Sequence, residues 1–127
     1  MLTRMPGLLL ERMTKATIYH NPKCSKSRAT LELLAQRGAD AVVIEYLKTP
    51  STAGELVALV AKLGIEPELL VRKGEDVYKQ HYAGKKLSAE QWIAAMVQHP
   101  ILIERPIVVV GSRAVIGRPP ENIERLF

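Results

Sequence analysis

The single cysteine of the chain lies in a basic, polar segment whose residue types favour a reactive thiol. Cys24 stands within HNPKCSKSR at residues 20–28, directly before a predicted helix. The unpaired N–H groups and the positive dipole end of a helix N-terminus favour thiolate over thiol. Lys23, Lys26 and Arg28 add positive potential, so we expect a lowered pKa and a nucleophilic sulfur at neutral pH.

The residues around Cys24 exclude two familiar uses of a thiol. Position 27 is Ser, so the chain has no C-x-x-C dithiol, and position 30 is Thr, so the C-x5-R loop of small tyrosine phosphatases is absent. One cysteine forms neither an internal disulfide nor a multi-cysteine zinc site. An adduct on such a thiol must pass to an outside thiol, for which glutathione or a glutaredoxin is the candidate.

His20 and Ser27 are candidate catalytic helpers of the thiolate. His20, four residues before the cysteine, can be its hydrogen-bond or charge partner, or it can cap a backbone group at a strand end. Ser27, one turn into the helix, can donate a hydrogen bond to the thiolate, or it can be a solvated helix serine. The residue pattern leaves both alternatives open.

Three arginines at loop or element boundaries suit an oxyanion. Arg72, Arg105 and Arg118 offer planar, permanently charged groups with several donors, although each alone also suits a solvated surface position. Pro106 enters a predicted buried strand, where we expect a cis peptide bond opposite the thiol. That loop would set Arg105 facing Cys24.

Elements that position these residues follow from the apolar patterning. The predicted elements are a strand over 16–19, a helix over 25–37 ended by Gly38, a strand over 41–46, a helix opened by Ser51 or Thr52 and ended by Gly64, a helical turn over 67–71, a capping-box helix from Ser88 to His99, hairpin strands over 107–110 and 114–116, and a last helix over 121–126. The order predicts an α/β, thioredoxin-like fold: β-α-β, an inserted helical segment and β-β-α, with a mixed four-stranded sheet.

Length and composition bound the class of protein. The 127 residues, 47% hydrophobic and 24% charged, predict one globular domain over 14–127. Residues 1–13 are expected to be a flexible N-terminal extension, with Met13 as an alternative start. Since His81 and His99 lack metal-ligand spacing, no metal is predicted.

The charge and hydropathy distribution disfavours two classes of partner. The net charge is +5, but cations alternate with acids and aromatic residues make up only 5%, which argues against nucleic acid. No apolar run approaches the roughly 18 residues of a membrane span. No export signal is visible and the cysteine is alone, so a reducing cytoplasm is expected.

The chain resembles the glutaredoxin-dependent arsenate reductase family, and the small uncharacterised members of that family look closest. The matching segments are TIYHNPKCSKSR at 17–28, EYLKTP at 45–50, LLVRKGEDVYK at 69–79, HPILIERPIVV at 99–109 and IGRPPE at 116–121. They follow the family's order and span residues 16–126. The combination of HNP-x-C-x-x-S-R with HP-x-L-x-x-RPIV is far more specific than either half.

The resemblance implies a thioredoxin-like oxidoreductase that reduces arsenate in arsenic detoxification. Cys24 would attack arsenic and expel hydroxide, assisted by His20 and Ser27, while the oxyanion would be bound by Arg72, Arg105 and Arg118. Glutathione, as co-substrate, would form a mixed arsenic–thiol adduct that glutaredoxin reduces, releasing arsenite. No bound cofactor is expected.

Two alternatives of other classes remain. One is a redox-responsive regulator that binds RNA polymerase, although such proteins typically carry C-x-x-C and Ser27 breaks that signature. The other is a thiol module that accepts glutathione on Cys24 without arsenate turnover. Pull-down with the polymerase α subunit, arsenate turnover and intact mass after glutathione disulfide treatment distinguish the three.

Overall fold

The computed structural model describes residues 14–127 and divides the chain into two compact units. The first unit comprises the residues up to Glu45 together with Arg105–Phe127, and the second comprises Tyr46–Glu104. The predicted N-terminal extension over residues 1–13 and the alternative start lie outside the described residues. The prediction of one domain over residues 14–127 stays a prediction.

The first unit contains the whole sheet. Its elements are β1 (Lys15–Tyr19), α1 (Ser25–Gln36), β2 (Asp40–Ile44), β3 (Ile107–Val110), β4 (Arg113–Ile116) and a C-terminal 3₁₀ helix (Pro120–Leu126). The strand order is β2-β1-β3-β4, with β2 parallel to β1 and the other two pairs antiparallel. The predicted thioredoxin-like fold with a mixed four-stranded sheet is confirmed. The C-terminal element, predicted only as a helix, is 3₁₀ throughout.

The core of this unit follows from strand alternation and one helix face. Ala16 and Ile18 point to the same face of β1 and are fully buried, as period-2 patterning requires. Val108 of β3 and Leu34 of α1 complete this cluster together with residues of the C-terminal 3₁₀ helix. The β3–β4 hairpin turns at Gly111, whose φ of +60° is a conformation that glycine adopts without steric cost.

The buried face of α1 changes character along the helix. Its buried residues are Ser27, Thr30 and Leu34, spaced by three and four positions so that they share one face. The C-terminal end of this face is apolar and joins the core, whereas its N-terminal end carries two hydroxyl groups. Buried hydroxyl groups require hydrogen-bond partners, so the first turns of α1 are tied to neighbouring loops.

The second unit is helical and corresponds to the predicted inserted segment. Its elements are α2 (Ala53–Leu63), a 3₁₀ helix (Pro67–Leu70), α3 (Asp76–His81), α4 (Ala89–Gln98) and a 3₁₀ helix (Pro100–Leu102). Thr52 with Glu55, and Ser88 with Gln91, form reciprocal capping boxes at the starts of α2 and α4. Neither α3 nor the second of these 3₁₀ helices was predicted from the sequence. Within residues 14–127, no helix is long and apolar enough to cross a membrane.

Candidate active site

Cys24 occupies the N-cap position of α1, where the sequence predicted it. Its backbone is extended, with φ −94° and ψ 123°, and its carbonyl accepts the Arg28 N–H at 3.0 Å. The thiol of Cys24 is partly exposed. A reagent can therefore reach the sulfur, which lies at the positive end of the helix dipole.

Asn21 shapes the loop that presents the cysteine. Its side-chain oxygen accepts the Lys23 N–H at 3.0 Å, and its carbonyl accepts the Cys24 N–H at 3.0 Å. Its own N–H donates to the Ser27 hydroxyl, also at 3.0 Å. Asn21 is 6% exposed, so these bonds are shielded from water and hold the loop against the first turn of α1. Asn21 was not among the predicted site residues.

The surroundings of the sulfur favour its ionised form. Burial alone would raise the pKa of the Cys24 thiol, but hydrogen-bonding interactions from the Ser27 backbone N–H, the Arg105 side chain and the Lys26 backbone N–H outweigh it. The positive charge of Arg105 acts in the same direction, so the pKa lies below its usual value. The thiolate fraction at neutral pH is correspondingly increased.

Two arginines from distant parts of the chain face the thiol. Besides the interaction from Arg105, Nη1 of Arg118 lies 3.9 Å from the Cys24 sulfur and 3.2 Å from the Arg105 carbonyl oxygen. Arg105 and Arg118 both precede cis proline bonds, of which the sequence analysis predicted the one at Pro106. A thiolate beside two guanidinium groups is suited to an anionic electrophile, because both charges favour its approach.

The lowered pKa predicts the pH dependence of thiol alkylation. Alkylation of Cys24 by iodoacetamide, followed by intact mass, is expected to reach half its maximal rate at a lower pH than in the urea-unfolded chain. The reason is that the backbone N–H groups and Arg105 stabilise the thiolate only in the folded protein. The same or a higher midpoint in the folded protein would show that the sulfur is not activated.

His20 and Ser27 form a buried pair beside the cysteine. His20 Nδ1 lies 2.6 Å from the Ser27 hydroxyl oxygen, which also accepts the Asn21 N–H. His20 is 6% exposed and Ser27 is fully buried. Among residues 14–127, the Ser27 hydroxyl thus contacts His20 and Asn21 rather than the sulfur of Cys24. Of the two alternatives left open for Ser27, the solvated helix serine does not fit this burial, and the backbone N–H of Ser27 interacts with the sulfur.

The protonation of His20 fits this pairing. Burial is the main cause that lowers the pKa of His20, and the nearby positive charge of Arg28 adds to it, while the negative charge of Glu45 opposes both. The net lowering keeps the imidazole neutral at neutral pH. The Ser27 hydroxyl already accepts the Asn21 N–H, so its own proton is available to donate to His20 Nδ1. In this arrangement the neutral His20 ring carries its proton on Nε2 and orients the Ser27 hydroxyl.

Removal of the Ser27 hydroxyl is expected to destabilise the fold. The Ser27→Ala variant leaves His20 Nδ1 and the Asn21 N–H without this buried partner, which costs about 1–3 kcal/mol in the free energy of unfolding. Urea denaturation measures the change, with the exposed neighbour Ser25→Ala as the matched control. Equal stability of Ser27→Ala and wild type would show that the pair is not structurally important.

Arg72 belongs to the second unit and is held by carboxylates there. Its Nη1 lies 3.0 Å from Glu75 and its Nε lies 3.4 Å from Glu104. The backbone N–H of Arg72 donates to Leu102 at 2.7 Å, next to the bridge between Val71 and Ile103. The first unit thus brings together Cys24, His20, Ser27, Arg105 and Arg118, whereas Arg72 is oriented by its own unit.

The other histidines belong to aromatic contacts of the second unit. The rings of His81 and His99 each lie edge-on to Tyr82, at 6.5 Å and 6.1 Å between centroids. In the part of the chain that the structure describes, no group of three or more His, Cys, Asp or Glu residues is placed to hold a metal ion.

Thr30 and Gly117, neither of which was predicted as a site residue, connect the segments of the site. Gly117 precedes Arg118, and its N–H donates to the Pro106 carbonyl at 2.8 Å. The Thr30 hydroxyl lies 3.4 Å from the Gly117 carbonyl oxygen. One signal was available: Thr30 shares the buried face of α1 with Ser27 and Leu34, where a polar residue needs a partner.

Fold and site together define a thioredoxin-like protein with one activated thiol beside two arginines. The sequence model of the ArsC family matches residues 19–126. The chain is 50% identical over 114 residues to the uncharacterized protein YfgD of Escherichia coli (strain K12), covering 87% of this chain and 96% of that protein. It is 43% identical over 117 residues to an arsenate reductase of Neisseria meningitidis, covering 91% of this chain and 100% of the relative.

A solved structure agrees with the sequence relatives. An arsenate reductase from Vibrio cholerae superposes with a TM-score of 0.87 at 46% identity, covering 90% of this chain and 98% of that one. The chain therefore belongs to the ArsC family. The resemblance to an arsenate reductase family that the sequence predicted is confirmed at this level.

Proposed function

We propose that this protein is an arsenate reductase in which Cys24 is the nucleophile. The observation that carries the proposal is the sulfur at the N-terminus of α1, with interactions from Arg105 and with Arg118 at 3.9 Å. Membership of the ArsC family supports it, since relatives that match nearly this whole chain are named arsenate reductases. The reaction is a two-electron reduction of arsenate to arsenite.

Substrate binding is assigned to the arginines. Arsenate carries two negative charges near neutral pH, and guanidinium groups bind a tetrahedral oxyanion through parallel N–H donors. Arg105 and Arg118 supply these donors next to the sulfur. Arg72 is included as the third arginine on the strength of the family resemblance; its two ion pairs engage Nη1 and Nε, and a guanidinium has five N–H donors in all.

The first step is attack of the Cys24 thiolate on arsenic. The sulfur lone pair forms the S–As bond, and one arsenate oxygen leaves as hydroxide, so arsenic keeps its oxidation state of five. Negative charge on the arsenate oxygens is then shared with Arg105 and Arg118, which stabilise the transition state most where that charge grows. His20 and Ser27 assist by holding the loop and first turn that aim the N–H groups at the sulfur.

The electrons come from two outside thiols, because the chain has a single cysteine. Glutathione, the co-substrate, displaces a second oxygen from arsenic as water and forms a mixed adduct. A glutaredoxin thiolate then attacks the glutathione sulfur; the As–S electron pair stays on arsenic, which becomes arsenic(III), and a mixed disulfide leaves. Water releases arsenite and regenerates Cys24. We assign the protein to the reducing cytoplasm, where these thiols are available, and propose no bound cofactor.

A comparison of reductants tests this cycle. Arsenite formation is measured by chromatography with glutathione plus glutaredoxin, with glutathione alone, and with thioredoxin plus its reductase. We expect turnover in the first mixture to be at least about tenfold above turnover in the other two. The reason is that the mixed adduct on arsenic carries glutathione, whose sulfur is the atom that glutaredoxin attacks in the proposed cycle. Equal turnover with thioredoxin would overturn the assignment of glutathione and glutaredoxin. Intact mass showing a stable glutathione adduct without turnover would favour the thiol module instead.

A further inference from the structure

Three segments that carry the thiol and its arginines meet at one point, formed by Thr30, Pro106 and Gly117. Thr30 lies on the helix that Cys24 caps, Pro106 directly follows Arg105, and Gly117 directly precedes Arg118. A β-carbon added at Gly117 would lie 2.7 Å from the Thr30 hydroxyl oxygen and 2.9 Å from Cγ of Pro106. These separations are shorter than carbon contacts allow, so the Gly117 backbone packs directly against both side chains.

The Thr30 hydroxyl has one proton and two acceptors within reach. It lies 2.8 Å from the Lys26 carbonyl oxygen in the preceding turn and 3.4 Å from the Gly117 carbonyl oxygen. The Lys26 carbonyl already accepts a backbone N–H within the helix. The contact with Gly117 is the longer of the two, and it links α1 to the residue before Arg118; both Thr30 and Gly117 are buried.

We propose that Thr30 is a positioning residue that holds Arg118 beside Cys24 through its hydroxyl contact with Gly117. The inference rests on the proposed function and extends it to a residue outside the motif around the thiol. Gly117 is fixed on one side by its N–H bond to Pro106 and on the other by Thr30. Loss of the hydroxyl frees the residue before Arg118, so the guanidinium spends less time next to the sulfur.

The test uses two alkylating reagents that differ in charge. Iodoacetate is an anion and iodoacetamide is neutral, so the ratio of their rates with Cys24 measures the positive charge at the thiolate without any arsenate. Thr30→Val keeps the side-chain shape and removes the hydroxyl; we expect it to lower this ratio about threefold and to raise the KM for arsenate about fivefold. Thr30→Ser keeps the hydroxyl and is expected to remain within about twofold of wild type.

A double variant separates positioning from general destabilisation. Arg118→Leu lowers the ratio by itself, and adding Thr30→Val is expected to lower it no further, because the positioned charge is already gone. Thr52→Val, which removes the N-cap hydroxyl of α2, is the control for stability loss and is expected to leave the ratio unchanged.

The outcomes are distinguishable. The positioning role would be overturned if Thr30→Val kept the wild-type rate ratio and KM. It would also be overturned if Thr30→Ser lowered the ratio as much as Thr30→Val does, or if the double variant had a lower ratio than Arg118→Leu alone. If the wild type forms no arsenite while Thr30→Val still lowers the ratio, the proposed reaction fails and the positioning of Arg118 stands.

Discussion

Replacing Cys24 by serine is expected to lower arsenate reduction by about a thousand-fold or more, to the rate without protein. A serine hydroxyl stays protonated where the Cys24 thiol ionises, so the N–H groups and Arg105 that favour the thiolate have no anion to stabilise. The oxygen also cannot form the arsenic–sulfur bond through which the external thiols are proposed to act. The loss should appear in kcat, measured by NADPH oxidation coupled through glutathione reductase.

The chain makes this test unusually clean because it contains one cysteine, so no second thiol can replace the first. Circular dichroism of Cys24→Ser checks that the fold is retained, and Ser25→Ala serves as the neighbouring control. Activity of Cys24→Ser within tenfold of wild type would contradict the nucleophilic role, since general packing effects at a partly exposed position are small.

The second large effect is expected at Arg105. Arg105→Leu should lower kcat/KM for arsenate about a hundred-fold, because this side chain interacts with the sulfur and adds the positive charge that an oxyanion needs. The variant also loses two of the causes that lower the pKa of Cys24, so the midpoint of iodoacetamide alkylation should move to higher pH. Lysine at this position restores the charge but not the planar, multi-donor geometry, and a partial recovery is expected.

Arg118→Leu provides the matched comparison. Arg118 Nη1 lies 3.9 Å from the sulfur, whereas Arg105 contributes both a hydrogen-bonding interaction and its charge to the lowered pKa. Loss of Arg118 should therefore weaken arsenate binding and move the alkylation midpoint less than loss of Arg105 does. An unchanged midpoint in Arg105→Leu, or equal shifts in both variants, would contradict the division of roles between the two arginines.

Much of the fold could be predicted because many of its helices and strands are specified by local sequence patterns. The alternation in β1, the capping residues Thr52 and Ser88 and the apolar run of β3 each specify an element without tertiary information. The helix α3 could not be predicted because its six residues, DVYKQH, form fewer than two turns and include no buried residue. A segment of this length is too short to show a helical spacing of apolar residues. The last element is a 3₁₀ helix rather than an α-helix, a difference in hydrogen-bond spacing that the prolines at its start do not reveal.

The site could be predicted only in part. The position of Cys24 before α1 follows from a local motif, whereas the approach of Arg118 joins residues 94 positions apart in the chain and required the fold. The role of the Ser27 hydroxyl depends on its competing partners, His20 and Asn21, whose bonds no spacing rule anticipates. The contact of Thr30 with Gly117 likewise depends on the tertiary fold, which brings the residue after β4 next to α1.

The most direct measurement is the arsenite that the wild-type protein forms from arsenate with glutathione, glutaredoxin and glutathione reductase. Arsenite is separated from arsenate by chromatography and compared with the NADPH consumed in the same sample. The account predicts one arsenite for each NADPH oxidised, at a rate proportional to protein concentration. Arsenite no higher than in the protein-free mixture, from a protein whose Cys24 is readily alkylated, would contradict arsenate reduction as its reaction.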